Sequence, residues 1–227
     1  MKNIAIIPAR SGSKGLPDKN IKELAGLPMM AYTIRAAIDS GKFDEVMVST
    51  DSKMYAEIAM KHGAKVPFLR SEKNSSDVAS SWDMVEEVLE SYKQLGKEFD
   101  TFCLLQPTSP LRDSLEIKGA YNLYQDKNAT GVVAVCEMEH SPRWCNTLDE
   151  TLSMAGFLNE GDDSQRQKQG IFYRINGAIY IVDIVKFYKS HFIYNNGTYA
   201  YVMSKEKSVD VDCEMDFVIA EAIMSRS

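Results

Sequence analysis

The chain is poor in residues that staple a fold or ligate a metal. Its four cysteines, Cys103, Cys136, Cys145 and Cys213, include no Cys-x-x-Cys pair, which suggests neither a zinc site nor a secreted disulfide framework and points to a reducing, cytoplasmic setting. Its three histidines, His62, His140 and His191, are too scattered to form a ligand cluster. No apolar run approaches the roughly 20 residues of a membrane span, and the charges between Arg10 and Lys19 argue against a secretory leader. Positive charge is also scarce: 26 Lys and Arg against 32 Asp and Glu give a formal net charge of −6. A general nucleic-acid surface is therefore not expected, and neither tryptophan has the aromatic neighbours of a base-stacking platform. Gly-x-Gly-x-x-Gly and Walker A spacings are both missing, as are internal repeats and low-complexity tracts.

What is present is an alternation of strand and helix signals. At 227 residues the chain can bury a full core, either as one α/β domain or as one with a protruding subdomain. Apolar runs at 3–8, 43–50, 101–105 and 131–136 read as strands, with a short one at 66–70. Helical periods fill 29–40, 52–62, 82–95 and 114–124. Strands return at 173–182 and 199–203, with a short helix at 183–188 and a closing helix at 217–224. This order predicts a mostly parallel, doubly wound sheet covered on both faces. Residues 137–170 differ in composition, and their few apolar side chains (Trp144, Leu148, Leu152, Met154, Phe157, Leu158) are too sparse for a separate core. We expect an α/β domain of residues 1–136 and 171–227, with 137–170 an excursion that packs against a second subunit.

The first strand runs into Ala9-Arg10-Ser11-Gly12-Ser13-Lys14-Gly15-Leu16-Pro17-Asp18-Lys19-Asn20. Arg10, Lys14 and Lys19 put three cations in ten residues, while Gly12 and Gly15 free the backbone to bend and offer its amides. That chemistry suits a polyphosphate rather than an ordinary solvated turn, because it sits at the carboxyl edge where open α/β sheets take ligands.

Near the other end, Asp210 and Asp212 flank Val211, so an extended backbone sends both carboxylates to one face and the valine inward. Such a pair either holds a cation, with magnesium natural beside phosphates, or is an exposed pair at a strand end. Asp216 suits the start of the last helix. Gln106 to Arg112 forms a proline-stiffened loop after a core strand; Gln106 offers a hydrogen bond to a base or sugar, Arg112 a partner for a carboxylate, and the alternative is a purely structural turn. Arg70 offers either a base or phosphate contact or a surface ion pair. Ser80 and Ser81 serve as helix caps or as ligand contacts.

Residues 8–20 strongly resemble the nucleotide-binding signature of the N-acylneuraminate cytidylyltransferases, or CMP-sialic acid synthetases. The likeness continues in order through Ser49-Thr50-Asp51, Leu69-Arg70, Ser76-Asp77, Ser80-Ser81, Leu104 to Arg112, Arg166-Gln167, Tyr173-Arg174, Asn176 to Tyr180 and Asp210-Val211-Asp212. It departs at Gly170, where the family often carries a proline.

The resemblance implies a Rossmann-like nucleotidyltransferase sheet and transfer of CMP from CTP to N-acetylneuraminic acid with release of pyrophosphate. It implies CTP contacts at Arg10, Ser13, Lys14, Lys19, Asn20, Arg70, Ser80 and Ser81, and sugar contacts at Gln106, Arg166 and Asn176. Magnesium would sit on Asp210 and Asp212, with Arg10, Lys19 and Asp212 acting in the chemistry. A homodimer, with the excursion swapped between subunits, belongs to the same expectation. Other readings are the same activation of legionaminate, pseudaminate or 3-deoxy-manno-octulosonate, or a nucleotide-binding protein without turnover.

Overall fold

The computed structural model describes residues 1–12, 15–76, 79–158 and 170–226. Among these residues eight strands and seven α-helices follow in the order β1 (Asn3–Pro8), β2 (Glu23–Leu24), β3 (Leu27–Pro28), α1 (Met29–Ser40), β4 (Glu45–Ser49), α2 (Lys53–Lys61), α3 (Glu72–Ser75), α4 (Ser81–Gln94), β5 (Thr101–Leu104), α5 (Ser114–Asp126), β6 (Gly131–Glu137), β7 (Tyr173–Asp183), α6 (Ile184–Lys189), β8 (Thr198–Met203) and α7 (Glu214–Met224). Six of the strands form one sheet in the order β4-β1-β5-β7-β6-β8, and β2-β3 is a small separate hairpin. β1 pairs in parallel with both β4 and β5, and β6 in parallel with β8. Only β7 runs the other way, antiparallel to β5 and β6. The mostly parallel α/β sheet expected from the alternation is the one observed.

Strands in such a sheet are covered twice, which is why their sequences read as unbroken apolar runs rather than alternating ones. In β1, Ala5 and Ile7 face one core with Met30 and Ile34 of α1 and Ile117 and Tyr121 of α5. Ile4 and Ile6 face the opposite core with Met84, Val85 and Val88 of α4. All four β1 side chains are fully buried, each fully buried isoleucine contributing about 1.5–3 kcal/mol. A third, smaller cluster joins the chain ends: Leu16 of the N-terminal loop packs with Leu24, Met29, Val211, Phe217 and Ala220.

Local chemistry sets the element ends. α1 stops at Gly41, whose φ of 61° gives a left-handed cap that a side chain would resist. Ser52, Ser80 and Asp113 cap α2, α4 and α5 by accepting hydrogen bonds from first-turn amides.

Residues 66–70 correct the sequence reading. They form no strand; the contact with the sheet is a single bridge from Met47 to Lys65. Pro67 lacks an amide to continue the ladder, and the chain instead turns so that the Arg70 amide donates to the Thr50 carbonyl at 2.8 Å. Residues 209–212 are extended but lie outside the sheet, tied to it by the Val211 amide donating to the Thr108 carbonyl at 2.7 Å. After β6 the chain leaves the sheet, with a single helical turn at Pro142–Trp144, and Leu148, Leu152 and Met154 are exposed there. No helix among the described residues is long and apolar enough to cross a membrane.

Candidate active site

The carboxyl ends of β1 and β5 open onto a cleft of about 530 Å³, lined also by the chain before α7. Pro8 and Arg10 enter from β1, and Gln106, Pro107 and Thr108 from the loop after β5. Ser80 and Ser81 come from the start of α4, and Asp210 and Asp212 from the extended segment. β4 and β5 leave β1 on opposite sides, which makes this the switch point where open α/β sheets bind ligands.

The loop after β1 is tied down on both flanks. The Ser11 amide and hydroxyl donate to Asp51 at 2.9 and 2.8 Å. The buried Tyr55 hydroxyl of α2 donates to Asp18 at 2.8 Å. Asn20, 4% exposed, closes the loop on itself by donating from its amide to the Arg10 carbonyl at 3.2 Å. Burial tends to push the Asp51 carboxyl up, but the two Ser11 hydrogen bonds and nearby Arg70 hold it below its usual range. Arg70 itself is largely buried, which pulls its guanidinium down to about 10 against the opposing charges of Asp51 and Glu87. It donates from Nε to the Ser49 hydroxyl at 3.0 Å and from NH2 to the Ser49 carbonyl at 2.5 Å, so part of its donor fork is spent on the end of β4.

Two segments far apart in sequence meet across the mouth. Lys19 Nζ lies 2.8 Å from Asp212 Oδ1, and the fully buried Val211 packs in the same cluster as Leu16. Gly15 completes the approach, since a Cβ there would come within 2.8 Å of the Asp212 carbonyl oxygen. Burial raises the Asp210 carboxyl, helped by the charge of Asp212 and opposed by a hydrogen bond from Thr108 and by Lys19 and Arg174. Its Oδ1 is buried without a hydrogen-bond partner. An orphaned carboxylate oxygen beside a second carboxylate is a donor set that fits a hard divalent cation, with other ligands drawn from substrate and water. Among the described residues no group of three acidic, His or Cys side chains could hold a metal alone. Asp210 and Asp212 are the residues that could hold one.

Of the residues expected at the site, Arg10, Lys19, Asn20, Arg70, Ser80, Ser81, Gln106, Asp210 and Asp212 line this one cleft. Ser13, Lys14 and Arg166 lie outside the described residues. Asn176 is not brought into the cleft. It is 2% exposed, donates to the Ser208 hydroxyl at 2.9 Å and accepts from the Ala178 amide at 3.1 Å. Gly177 beside it has a φ of 77° and lies against the Gln106 amide oxygen.

For Arg112 the structural alternative holds: it meets no carboxylate in the cleft. It is 1% exposed beneath α1, where it donates to the Thr33 hydroxyl at 2.6 Å, and its Nε and NH1 have no hydrogen-bond partner. Burial pulls it down to about 10. Sequence reading missed Thr108, Asn74 and Ser76 as cleft residues. Thr108 carried a usable signal, its place in the loop after β5; Asn74 and Ser76 sit in or beside the four-residue α3, too short for any apolar period to reveal.

The fold and cleft define a class: an α/β protein with a polar cleft at the carboxyl edge of its sheet, lined by Arg10, Lys19 and Arg70 and by the carboxylate pair Asp210 and Asp212. Comparison with known proteins narrows it. The cytidylyltransferase family profile matches residues 4–221, and the chain belongs to that family, with the N-acylneuraminate cytidylyltransferases among its relatives. One such relative, from Streptococcus agalactiae serotype III (strain NEM316), is 42% identical over 96% of this chain. The chain spans about half, 52%, of that relative's length. The CMP-N,N'-diacetyllegionaminic acid synthase of Legionella pneumophila is 35% identical over 99% of this chain and 97% of its own. A solved CMP:2-keto-3-deoxy-manno-octonic acid synthetase complexed with CTP has the same fold, with a TM-score of 0.74, 16% identity and coverage of 100% of this chain and 99% of its own.

Proposed function

We propose that the protein transfers CMP from CTP to the anomeric hydroxyl of a nine-carbon 2-keto sugar acid, N-acetylneuraminic acid first among them, releasing pyrophosphate. One observation carries this reading: the cationic loop after β1 and the Asp210-Asp212 pair, 190 or more positions apart in sequence, face each other across one cleft at the sheet's carboxyl edge. The sugar hydroxyl attacks the α-phosphorus in line; the new O–P bond forms as the bond from the α-phosphorus to the bridging oxygen breaks, and pyrophosphate leaves. Arg10 and Lys19 neutralise the triphosphate and the charge that grows on the leaving oxygens. Ser80 accepts from the Trp82 amide at 3.0 Å, which leaves its hydroxyl proton free to donate to the nucleotide. Gln106, from the loop after β5, orients the sugar.

Magnesium is the cofactor this reading requires; Asp210 and Asp212 would hold it, and it would supply positive charge to the phosphates and favour ionisation of the sugar hydroxyl. The attacking hydroxyl gives its proton to Asp212 or to solvent as the new O–P bond forms. A homodimer is part of the proposal, supported by the exposed Leu148, Leu152, Met154 and Ile171, apolar surface that a second subunit would cover. The thiols of Cys103, Cys136, Cys145 and Cys213, all free, suit a reducing cytoplasm.

The full-length match to the Legionella synthase favours N,N'-diacetyllegionaminic acid as the second reading. Pyrophosphate release from CTP and magnesium, measured across N-acetylneuraminic, legionaminic, pseudaminic and 3-deoxy-manno-octulosonic acids, tests both. Release dependent on N-acetylneuraminic acid supports the first, release with legionaminic acid alone moves the assignment to the second, and none with any sugar overturns both.

A further inference from the structure

α3 is part of the cleft rim. Asn74 and Ser76 line the cleft, and the Ser75 carbonyl accepts from Arg10 NH1 at 3.4 Å. Yet none of its four residues is buried, and a helix this short does not hold together by its own hydrogen bonds. Its anchor lies on α4. The Glu87 carboxylate accepts from the Ser71 amide at 2.7 Å, from the Ser71 hydroxyl at 2.8 Å and from the Asn74 side-chain amide. Ser71 is also the N-cap of α3, accepting from the Asn74 backbone amide at 3.3 Å, so one carboxylate sets both the cap and the inward face of the helix. α4 is a rigid base for it, with Met84, Val85, Val88 and Leu89 buried in the core.

We propose that Glu87 is a positioning residue for the nucleotide half of the cleft, fixing α3 as the wall that receives the nucleoside of CTP. This rests on the reading of the cleft as a CTP site. Glu87 does not line the cleft itself; it acts through Ser71 and Asn74. Two oxygens serve three donors, a demand that a carboxylate meets and a neutral amide meets only in part. Hydrogen bonds to a charged group are the strong kind, so their loss should be visible in binding.

The test is CTP affinity by titration calorimetry with the full chain, magnesium present and sugar absent. Glu87→Ala is expected to weaken CTP binding about ten- to hundredfold, while kcat at saturating CTP and the KM for the sugar stay within about twofold. Amide hydrogen exchange should accelerate across residues 71–76 and stay unchanged in α1 and α5. Glu87→Gln should recover part of the affinity, because its amide oxygen still accepts from Ser71. If Glu87→Ala does not fold, Ser71→Ala removes one arm of the tether and should weaken CTP severalfold. A folded Glu87→Ala protein with unchanged CTP affinity, or with kcat lost and affinity kept, overturns the proposal. Wild-type protein that binds no CTP overturns the CTP reading, and the role of Glu87 with it; wild-type binding beside unchanged variant binding overturns the role alone.

Discussion

The Lys19 ammonium lies 2.8 Å from the Asp212 carboxylate, joining residues 193 positions apart. Asp212 is well exposed, with 71% of its side chain accessible, and ion pairs of this kind contribute at most about 1 kcal/mol to stability. The pair is better understood as a charge balance at the cleft mouth. On the proposed CTP reading, a triphosphate that took Lys19 would leave Asp212 without its counter-charge, which a cation would replace.

That relationship separates activity from stability. Lys19→Ala and Asp212→Asn are each expected to slow pyrophosphate release at saturating CTP and magnesium by roughly a hundredfold, the effect of removing one preorganised electrostatic group. Melting temperatures should move by no more than about 2–4 °C. Near-normal turnover in either variant would remove the substituted residue from the chemistry and sink the assignment.

Asp210 makes a prediction about pH and metal. Burial raises its pKa above the usual 3.8, so folding favours the neutral acid; the penalty on the ionised form begins as pH climbs past 3.8 and is complete above the raised value. Without metal at about pH 7, Asp210→Asn should therefore melt higher than wild type, and the difference should vanish below about pH 3. Chelation should abolish wild-type turnover and magnesium restore it, while the variant stays inactive in both. A variant no more stable than wild type under chelation would mean that Asp210 carries no such penalty.

Gly177 is required by Gln106. With φ at 77° and the Gln106 amide oxygen in the place a Cβ would take, Gly177→Ala should cost about 1–2 kcal/mol in backbone strain and displace Gln106. The KM for the sugar acid should rise about tenfold, with the KM for CTP little changed. Steady-state kinetics in each substrate separately decide it. Equal rises in both constants would place Gln106 elsewhere than the sugar half.

Asp51 anchors the loop after β1 through Ser11. Asp51→Ala removes both acceptors and should raise the KM for CTP about tenfold while lowering stability by about 1–2 kcal/mol. Because its carboxyl is held below 3.8, its stabilisation is present above that pH and is lost as pH falls through the lowered value. Denaturant unfolding across acid pH, wild type beside variant, should show the two curves converging at the acid end. Curves that stay parallel would assign the tether no electrostatic share.

Much of the architecture was legible because its signals are local. The apolar run of β1, the period and Gly41 stop of α1, and the cap at Ser80 are each written in a few neighbouring residues. The segment at 66–70 misled because an apolar composition says nothing about whether a partner strand is within reach. α3 escaped for a related reason: what holds it is a carboxylate on α4, more than ten positions away.

The same division runs through the site. The sequence by itself determined the chemistry at hand: three cations in a loop after a buried strand, and two carboxylates spaced to share a face. Only the tertiary structure decided which groups act together. Burial of Val211 with Leu16 swings Asp212 onto Lys19, while Asn176 and Arg112, polar residues that resembled site residues, are drawn inward to Ser208 and Thr33. Residue type fixes what a side chain can do, but the free energy of packing its apolar neighbours fixes where it does it.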